Sequence, residues 1–114
     1  MTELESRTIC IDLDRTLCLG CEDYSIAEPV PGAQKALSLL RKAGWIIVLY
    51  TARHFNHWQL TVDWLSRYEF GYDQIVFGKP PARFYIDDRA ISFDGDWEQL
   101  CQKIAPLVMN SSKV

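Results

Sequence analysis

The chain has 114 residues, of which 48% are hydrophobic and 24% are charged, and its formal net charge is −3. This length and balance are typical of a soluble globular protein with a core of its own, so we predict a single domain over residues 1–114. The acidic balance and the absence of a basic run disfavour a nucleic-acid partner, because nucleic-acid affinity depends largely on neutralising phosphates.

The sequence also lacks signals for a membrane or for secretion. No apolar run reaches the length of a membrane span, and the N-terminal residues do not form a signal-peptide pattern. We therefore expect no membrane partner, a cytoplasmic location and reduced cysteines. Residues 1–6 and 110–114 are polar, and we expect both ends to be flexible.

The spacing of apolar residues predicts an α/β domain. Strands are predicted at 7–13, 45–50, 75–77 and 84–86, and helices at 33–43, 56–68 and 97–105. Gly44 suits the position after the first helix, and Asp96 with Gln99 forms a capping-box pattern before the last one. Strands that alternate with helices in this way predict a mostly parallel central sheet.

The same spacing predicts which side chains form the core. The second strand is a continuous apolar run, which is typical of a strand buried on both faces. The predicted helix stripes contain Ala33, Ala36, Leu37 and Leu40, then Trp58, Val62 and Leu65, and finally Trp97, Leu100, Cys101 and Ile104. Trp45, Trp58, Trp64 and Trp97 are expected in the core, as are the thiols of Cys10 and Cys101.

The first predicted strand ends in two aspartates, Asp12 and Asp14. Side chains alternate across a strand, so carboxylates spaced i, i+2 would share one face in apolar surroundings. Two like charges there are costly unless a cation lies between them, and Mg²⁺ prefers carboxylate oxygens. In the alternative interpretation, the strand simply ends and both acids lie in a solvated turn.

Every other predicted strand is also followed by polar or charged side chains, which are Thr51, Arg53, Lys79, Asp87 and Asp88. The carboxyl ends of parallel strands share one edge, and ligands of such sheets bind there. Several carboxylates and cations at one edge favour phosphoryl transfer. Asp12 would attack phosphorus, and Asp14 would serve as general acid and then as general base.

The remaining residues of this edge have predicted supporting roles. Thr51 would donate a hydrogen bond to a phosphate oxygen, and Lys79 would supply a positive charge. Magnesium would be held by Asp12 and the Asp14 backbone, with Asp88 or Asp87 completing the site. Arg53 is expected either to contact substrate or to form an ordinary ion pair.

The ordered set of motifs resembles the haloacid dehalogenase superfamily of phosphatases. Asp12-Leu13-Asp14-Arg15-Thr16 resembles its first motif, Thr51 its second, Lys79 its third and Asp87-Asp88 its fourth. The resemblance implies a Rossmann-like three-layer sandwich, magnesium dependence and an aspartate nucleophile. The superfamily usually has glycine where this chain has Arg15, which we expect either to bind phosphate or to point to solvent.

A narrower resemblance suggests the class of substrate. Residues 50–53 and 77–88 are similar to small phosphatases linked to capsule and surface-polysaccharide biosynthesis. This similarity implies a phosphorylated sugar or a related small metabolite. The alternatives are a nucleotidase acting on nucleoside monophosphates and a non-catalytic module that binds a phosphometabolite. The pair of Asp12 and Asp14 argues against the last, because binding alone does not require it.

The chain offers no insertion long enough for the cap domain with which superfamily members usually close their site. Two kinds of cover remain for the reacting phosphate. The loop at residues 18–31 could fold over the site, or a neighbouring subunit could supply the missing wall. We favour the second, and therefore expect a homo-oligomer.

Two pairs of residues have the spacing of metal ligands, namely Cys18 with Cys21 and His54 with His57. Because both pairs follow predicted strands, a zinc site is geometrically conceivable. A single short pair of cysteines is nevertheless a weak signal. We expect solvated loop residues or substrate contacts instead.

Overall fold

A computed structural model describes residues 1–107 of the chain. Its strands are β1 (Thr8–Ile11), β2 (Ile46–Thr51) and β3 (Gln74–Phe77), and its helices are α1 (Glu3–Ser6), α2 (Ala33–Lys42), α3 (Trp58–Arg67) and α4 (Trp97–Ile104). The N-terminal residues that we expected to be flexible thus include a short helix, in which Thr2 Oγ1 accepts a hydrogen bond from Glu5 N at 3.0 Å. The expected flexible tail at 110–114 lies outside the described residues.

The three strands form one parallel sheet in the order β1-β2-β3. Thr8 pairs with Ile46 at the start of the sheet, and Thr51 pairs with Phe77 where β2 and β3 end. Helices flank this sheet, which confirms the predicted Rossmann-like α/β class with parallel strands. The strand order also makes β1 an edge strand and β2 the central one.

The core lies mainly on one face of β2. Ile47, Leu49 and Thr51 are fully buried, whereas the alternating residues Ile46 and Val48 are only half-buried. The prediction that β2 is buried on both faces is therefore only half correct. Cys10 was predicted to be a core thiol, but it is exposed because it lies on the edge strand β1.

Helices α2 and α4 follow the sequence predictions closely. The predicted apolar stripe of α2 is buried, and Gly44 after the helix has a φ of 108°, which favours glycine. At the start of α4, Asp96 Oδ1 accepts a hydrogen bond from Gln99 N at 3.0 Å, so the predicted cap is confirmed. Within residues 1–107, no helix combines the length and apolar character needed to cross a membrane.

Helix α3 buries a different face from the predicted one. Its buried residues are Thr61, Trp64 and Leu65, while Trp58 is 44% exposed. The prediction that Trp58 lies in the core is therefore wrong, whereas the predictions for Trp64 and Leu65 are confirmed. The Trp64 ring stacks on Phe70 at 5.4 Å, and its Nε1 donates to the Ala27 carbonyl at 2.7 Å.

The predicted strand at 84–86 is not formed. It lies within an exposed stretch, residues 80–92, which we call the exposed segment, and Ile86 there is 100% exposed. Two features explain this conformation. Pro80 and Pro81 have no backbone N–H and so cannot extend the hydrogen-bonded ladder of β3 toward this stretch, and the Tyr85 hydroxyl donates to the Pro80 carbonyl within the segment itself.

Candidate active site

The carboxyl edge of the sheet brings together most of the residues that the sequence singled out. Asp12 and Asp14 follow β1, Thr51 is the last residue of β2, and Arg53 lies just beyond it. Lys79 follows β3, which ends beside Thr51. Two of the four carboxylates predicted to converge at this edge, Asp12 and Asp14, thus lie there together with the cations Arg53 and Lys79.

Asp12 and Lys79 face each other at the accessible part of the edge. Asp12 Oδ1 accepts a hydrogen bond from Leu13 N at 2.9 Å, and Oδ2 lies 3.6 Å from Lys79 Nζ. The side chains of Asp12 and Lys79 are 37% and 18% exposed, so both remain within reach of a ligand.

The position of Lys79 is set by the end of β2 and by one aromatic ring. The backbone N–H groups of Gly78 and Lys79 both donate to the Thr51 carbonyl, at 3.2 and 3.1 Å. Gly78 has a φ of 107°, which this turn requires and which glycine adopts most readily. Lys79 Nζ lies 4.3 Å from the centre of the Tyr85 ring, so the ammonium contacts both a carboxylate and a π-face.

Asp14 forms a two-bond ion pair with Arg53. Arg53 Nε donates to Asp14 Oδ2 at 2.9 Å, and Nη2 donates to Oδ1 at 2.7 Å. Arg53 also donates from Nη1 to Thr61 Oγ1 at 3.0 Å, and its Cζ lies 3.7 Å from the centre of the Tyr24 ring. Its side chain is only 1% exposed. A direct contact between Arg53 and substrate stays a prediction.

Thr51 and Arg15 lie at the same edge in contrasting environments. Thr51 is fully buried, and its Oγ1 accepts a hydrogen bond from Arg53 N at 3.1 Å. Arg15 is exposed and has a φ of 65°, and its backbone N–H donates to the Cys18 carbonyl at 2.8 Å. The predicted phosphate contacts of both residues stay predictions.

Asp87 and Asp88 lie in the exposed segment, apart from the two aspartates that follow β1. Asp87 Oδ1 accepts a hydrogen bond from Arg89 N at 2.9 Å, and this bond lowers the pKa of Asp87. Within residues 1–107, no three His, Cys, Asp or Glu side chains lie close enough to share one metal ion. The predicted magnesium site also uses the Asp14 backbone carbonyl and needs only two carboxylate side chains, so it stays a prediction.

The residues considered for zinc lie in different environments. Cys18 is fully buried, and burial together with the Asp14 charge raises the pKa of its thiol to about 11. The thiol therefore stays protonated at neutral pH, although zinc binds the thiolate. Cys21 is exposed, and His54 Nδ1 accepts a hydrogen bond from Asn56 N at 3.1 Å.

Sequence reasoning missed Thr61 and considered Tyr24 only as a minor contact for a nucleotide base. Thr61 is a buried polar side chain on α3. A polar residue at a core-facing helix position needs a hydrogen-bond partner, and this requirement is a sequence signal for a polar site nearby. Tyr24 gave no such signal, because its position depends on how the loop at 18–31 folds. That loop folds back on itself, with Leu19 N donating to the Glu28 carbonyl at 2.8 Å.

The loop at 18–31 is also fixed to α3. Trp64 Nε1 donates to the Ala27 carbonyl, and Arg67 Nη1 donates to the Ser25 carbonyl at 3.0 Å. Through Tyr24, the loop thus lies over Arg53. This placement corresponds to one of the two predicted kinds of cover, while the homo-oligomer stays a prediction.

Comparisons with known proteins support the fold. No family model and no curated protein matches this sequence. The crystal structure of an MCSG target from Vibrio cholerae is similar, with a TM-score of 0.70 and 26% identity over 92% of this chain and 98% of that one. The structure of a Pnkp1/Rnl/Hen1 complex is similar with a TM-score of 0.55 and 24% identity, over 71% of this chain and 30% of that one. The second likeness concerns the fold alone.

Proposed function

We propose that the protein is a magnesium-dependent phosphohydrolase of the haloacid dehalogenase type, which removes phosphate from a small phosphomonoester. The observation that carries this proposal is the pairing of Asp12 Oδ2 with Lys79 Nζ at 3.6 Å, beside a second carboxylate, Asp14. A lysine in this position can hold a phosphate near the Asp12 oxygen and offset the repulsion between the two anions.

The reaction would proceed in two steps. Asp12 Oδ2 attacks phosphorus, the bond from phosphorus to the leaving oxygen breaks, and Asp14, which must enter this step in its protonated form, gives that oxygen its proton. Water then attacks the phosphorus of the aspartyl phosphate and gives a proton to Asp14. The bond between phosphorus and Asp12 breaks, inorganic phosphate leaves, and both carboxyl groups regain their starting states.

Thr51 supports this chemistry in two ways. Its carbonyl accepts hydrogen bonds from Gly78 and Lys79 and thereby fixes the turn that carries the lysine. Its hydroxyl would donate to a phosphate oxygen, as the resemblance to the second motif implies.

Magnesium enters the proposal from the sequence motifs alone. Within residues 1–107, no three acidic, histidine or cysteine side chains form a metal site, so we assign no step to the ion. Activity should disappear when the metal is chelated and return when magnesium is added. Full activity in excess chelator would remove magnesium from the proposal and leave the aspartate chemistry to be judged separately.

A phosphorylated sugar or a related cytoplasmic metabolite is the proposed substrate, because residues 50–53 and 77–88 resemble capsule and surface-polysaccharide phosphatases. The nucleotidase alternative would need an aromatic platform for the base. In this structure one face of the Tyr24 ring is occupied by Arg53. Assays on a panel of sugar phosphates and nucleoside monophosphates compare the two. Higher kcat/KM for the nucleotides would favour the alternative.

Replacement of the nucleophile tests the central claim. Purified protein should hydrolyse p-nitrophenyl phosphate with magnesium, and Asp12→Asn should abolish turnover because an amide cannot form the aspartyl phosphate. Asp63→Asn is the matched control, since it makes the same chemical change on the exposed face of α3. Substantial magnesium-dependent activity in Asp12→Asn would rule out the mechanism.

The same assay examines the non-catalytic alternative. A binding module would bind inorganic phosphate in calorimetry but would release no nitrophenol from the aryl ester. Phosphate binding by a wild-type protein with no turnover on the aryl ester or the panel would therefore replace our proposal with this alternative.

A further inference from the structure

Four side chains link the loop at 18–31 to the acid pair. Tyr24 contacts Arg53, and Arg53 in turn contacts Thr61 and Asp14. We call these four residues the Arg53 cluster. Arg53 and Thr61 are its buried members, whereas Asp14, with 36% of its side chain exposed, is as accessible as Asp12.

Arg53 has no surface left for a substrate. A buried guanidinium is costly unless its donors are satisfied, and here Asp14 and Thr61 accept bonds from all three of its nitrogens. One face of the guanidinium plane is covered by Tyr24 at 3.7 Å. Only 1% of the Arg53 side chain is exposed, so it contacts its protein neighbours and has almost no surface open to solvent.

The pairing with Asp14 fixes the orientation of the carboxylate. A single hydrogen bond would leave the carboxylate plane free to turn, whereas two parallel bonds from Nε and Nη2 hold both oxygens. Oδ1 also accepts a hydrogen bond from the Cys18 thiol at 3.5 Å, whereas Oδ2 accepts only the bond from Arg53 Nε, so Asp14 can still exchange a proton with a reacting group at Oδ2. A general acid–base residue needs this kind of fixed geometry.

Contacts within the loop and with α3 hold the turn that carries Tyr24. Asp23 Oδ1 accepts a hydrogen bond from Ser25 N at 2.9 Å and caps the short helical turn at Tyr24–Ile26. Arg67 Nη1, on α3, donates to the Ser25 carbonyl at the same turn. The rings of Tyr24 and His57 pack nearly perpendicular to each other, with 5.4 Å between their centres.

We propose that Arg53 is the positioning residue for Asp14 and that Tyr24 holds Arg53 in place. The loop at 18–31 would then set the orientation of the general acid–base residue in addition to covering the site. This inference rests on the proposed phosphohydrolase function. It gives Arg53 a different role from the substrate contact that the sequence suggested.

Arg53→Lys separates the two roles. The lysine keeps the charge but loses the two parallel bonds, so we expect kcat on p-nitrophenyl phosphate to fall by about 10- to 100-fold. KM and the inhibition constant of inorganic phosphate should stay within about threefold of wild type, because Arg53 does not touch the phosphate. A rise of about tenfold in that inhibition constant with unchanged kcat would make Arg53 a substrate contact and overturn the proposal.

Two substitutions at Tyr24 test the second link. Tyr24→Leu removes the π-face over the guanidinium and should lower kcat by about fivefold with little change in KM. Tyr24→Phe keeps the ring and should stay within about twofold of wild type. Equal kcat values for Tyr24→Leu and Tyr24→Phe would remove Tyr24 from the proposal.

A measurement that needs no activity distinguishes failure of this inference from failure of the proposed function. We would compare urea midpoints for Arg53→Lys, Asp14→Asn and the double variant. The double variant should shift the midpoint by less than the sum of the single shifts, because each single change already breaks the shared contact. Additive shifts would overturn the inference whatever the activity. Coupled shifts in a protein whose wild type lacks turnover would overturn the proposed function alone.

Discussion

Arg15 adopts a backbone conformation that suits glycine better than arginine. Its φ is 65°, which lies in the left-handed region and costs a non-glycine residue about 1–2 kcal/mol. Glycine avoids this strain but loses about 0.5–1 kcal/mol through the greater freedom of its unfolded chain. From the difference we expect Arg15→Gly to raise the free energy of unfolding by about 0.5–1 kcal/mol.

Two controls isolate the backbone contribution. Arg15→Ala also removes the side chain but keeps the strain, so Arg15→Gly should be more stable than Arg15→Ala by about 1 kcal/mol. Glu69, directly after the Tyr68 cap of α3, has a φ of 59°, and Glu69→Gly should be stabilising for the same reason. Urea denaturation with linear extrapolation measures all three variants.

The comparison between the two Arg15 variants decides whether the reasoning is sound. If Arg15→Gly is no more stable than Arg15→Ala, the turn after Asp14 does not strain the backbone as its φ implies. A positive result would also account for the glycine that the resembled superfamily usually has at this position. The same variants report on phosphate binding, because loss of a guanidinium contact would raise KM equally in both.

Three further predictions concern the lysine, acid stability and assembly. Lys79→Met should raise the inhibition constant of inorganic phosphate by about tenfold in the phosphatase assay, and an unchanged constant would remove Lys79 from the phosphate site. Asp73 accepts hydrogen bonds from Ile47 N at 2.8 Å and from Arg41 Nη2 at 3.0 Å, which lower its pKa. It should therefore add stability above its unfolded pKa of about 3.9, and that stability should fade as the pH falls through the lowered value. Urea unfolding across this range should show a weaker acid dependence in Asp73→Asn than in wild type, and equal dependence would contradict the assignment. Light scattering at assay concentration should show a homo-oligomer, and a fully active monomer would leave the loop at 18–31 as the cover.

The parts of the fold that follow from local sequence were predictable. The stripe of α2 and the cap of α4 depend on residues three or four positions apart, and both are present in the structure. Local sequence could not predict in this way which face of α3 is buried. Trp58 and Trp64 are equally apolar by sequence, and only the packing of Trp64 against Phe70 and Ala27 decides which of them is buried.

The candidate site likewise contains residues whose positions follow from the local sequence and residues whose positions do not. Asp12 and Lys79 lie at the carboxyl edge because each follows a parallel strand, so the pattern of strands was enough to place them. The partner of Arg53 was not determined locally. Asp14 is 39 residues away in sequence, and the alternatives of ion pair and substrate contact are chemically equivalent until the surroundings are known. Burial beneath Tyr24 and beside Thr61 distinguishes them.

The exposed segment shows why the positions of Asp87 and Asp88, the predicted metal ligands, were the hardest to predict. Phe84 and Ile86 are apolar enough to suggest a strand, yet a strand of three residues gains few hydrogen bonds for the backbone order that it requires. Ile86 forgoes about 1.5–3 kcal/mol of burial in the exposed conformation. The difference between these two free energies is small, and its sign depends on whether an edge of the sheet, at β1 or β3, is open to pair with this segment. The position of Asp88 relative to Asp12 is governed by that difference, whereas the pairing of Asp12 with Lys79 follows from neighbouring strand ends alone.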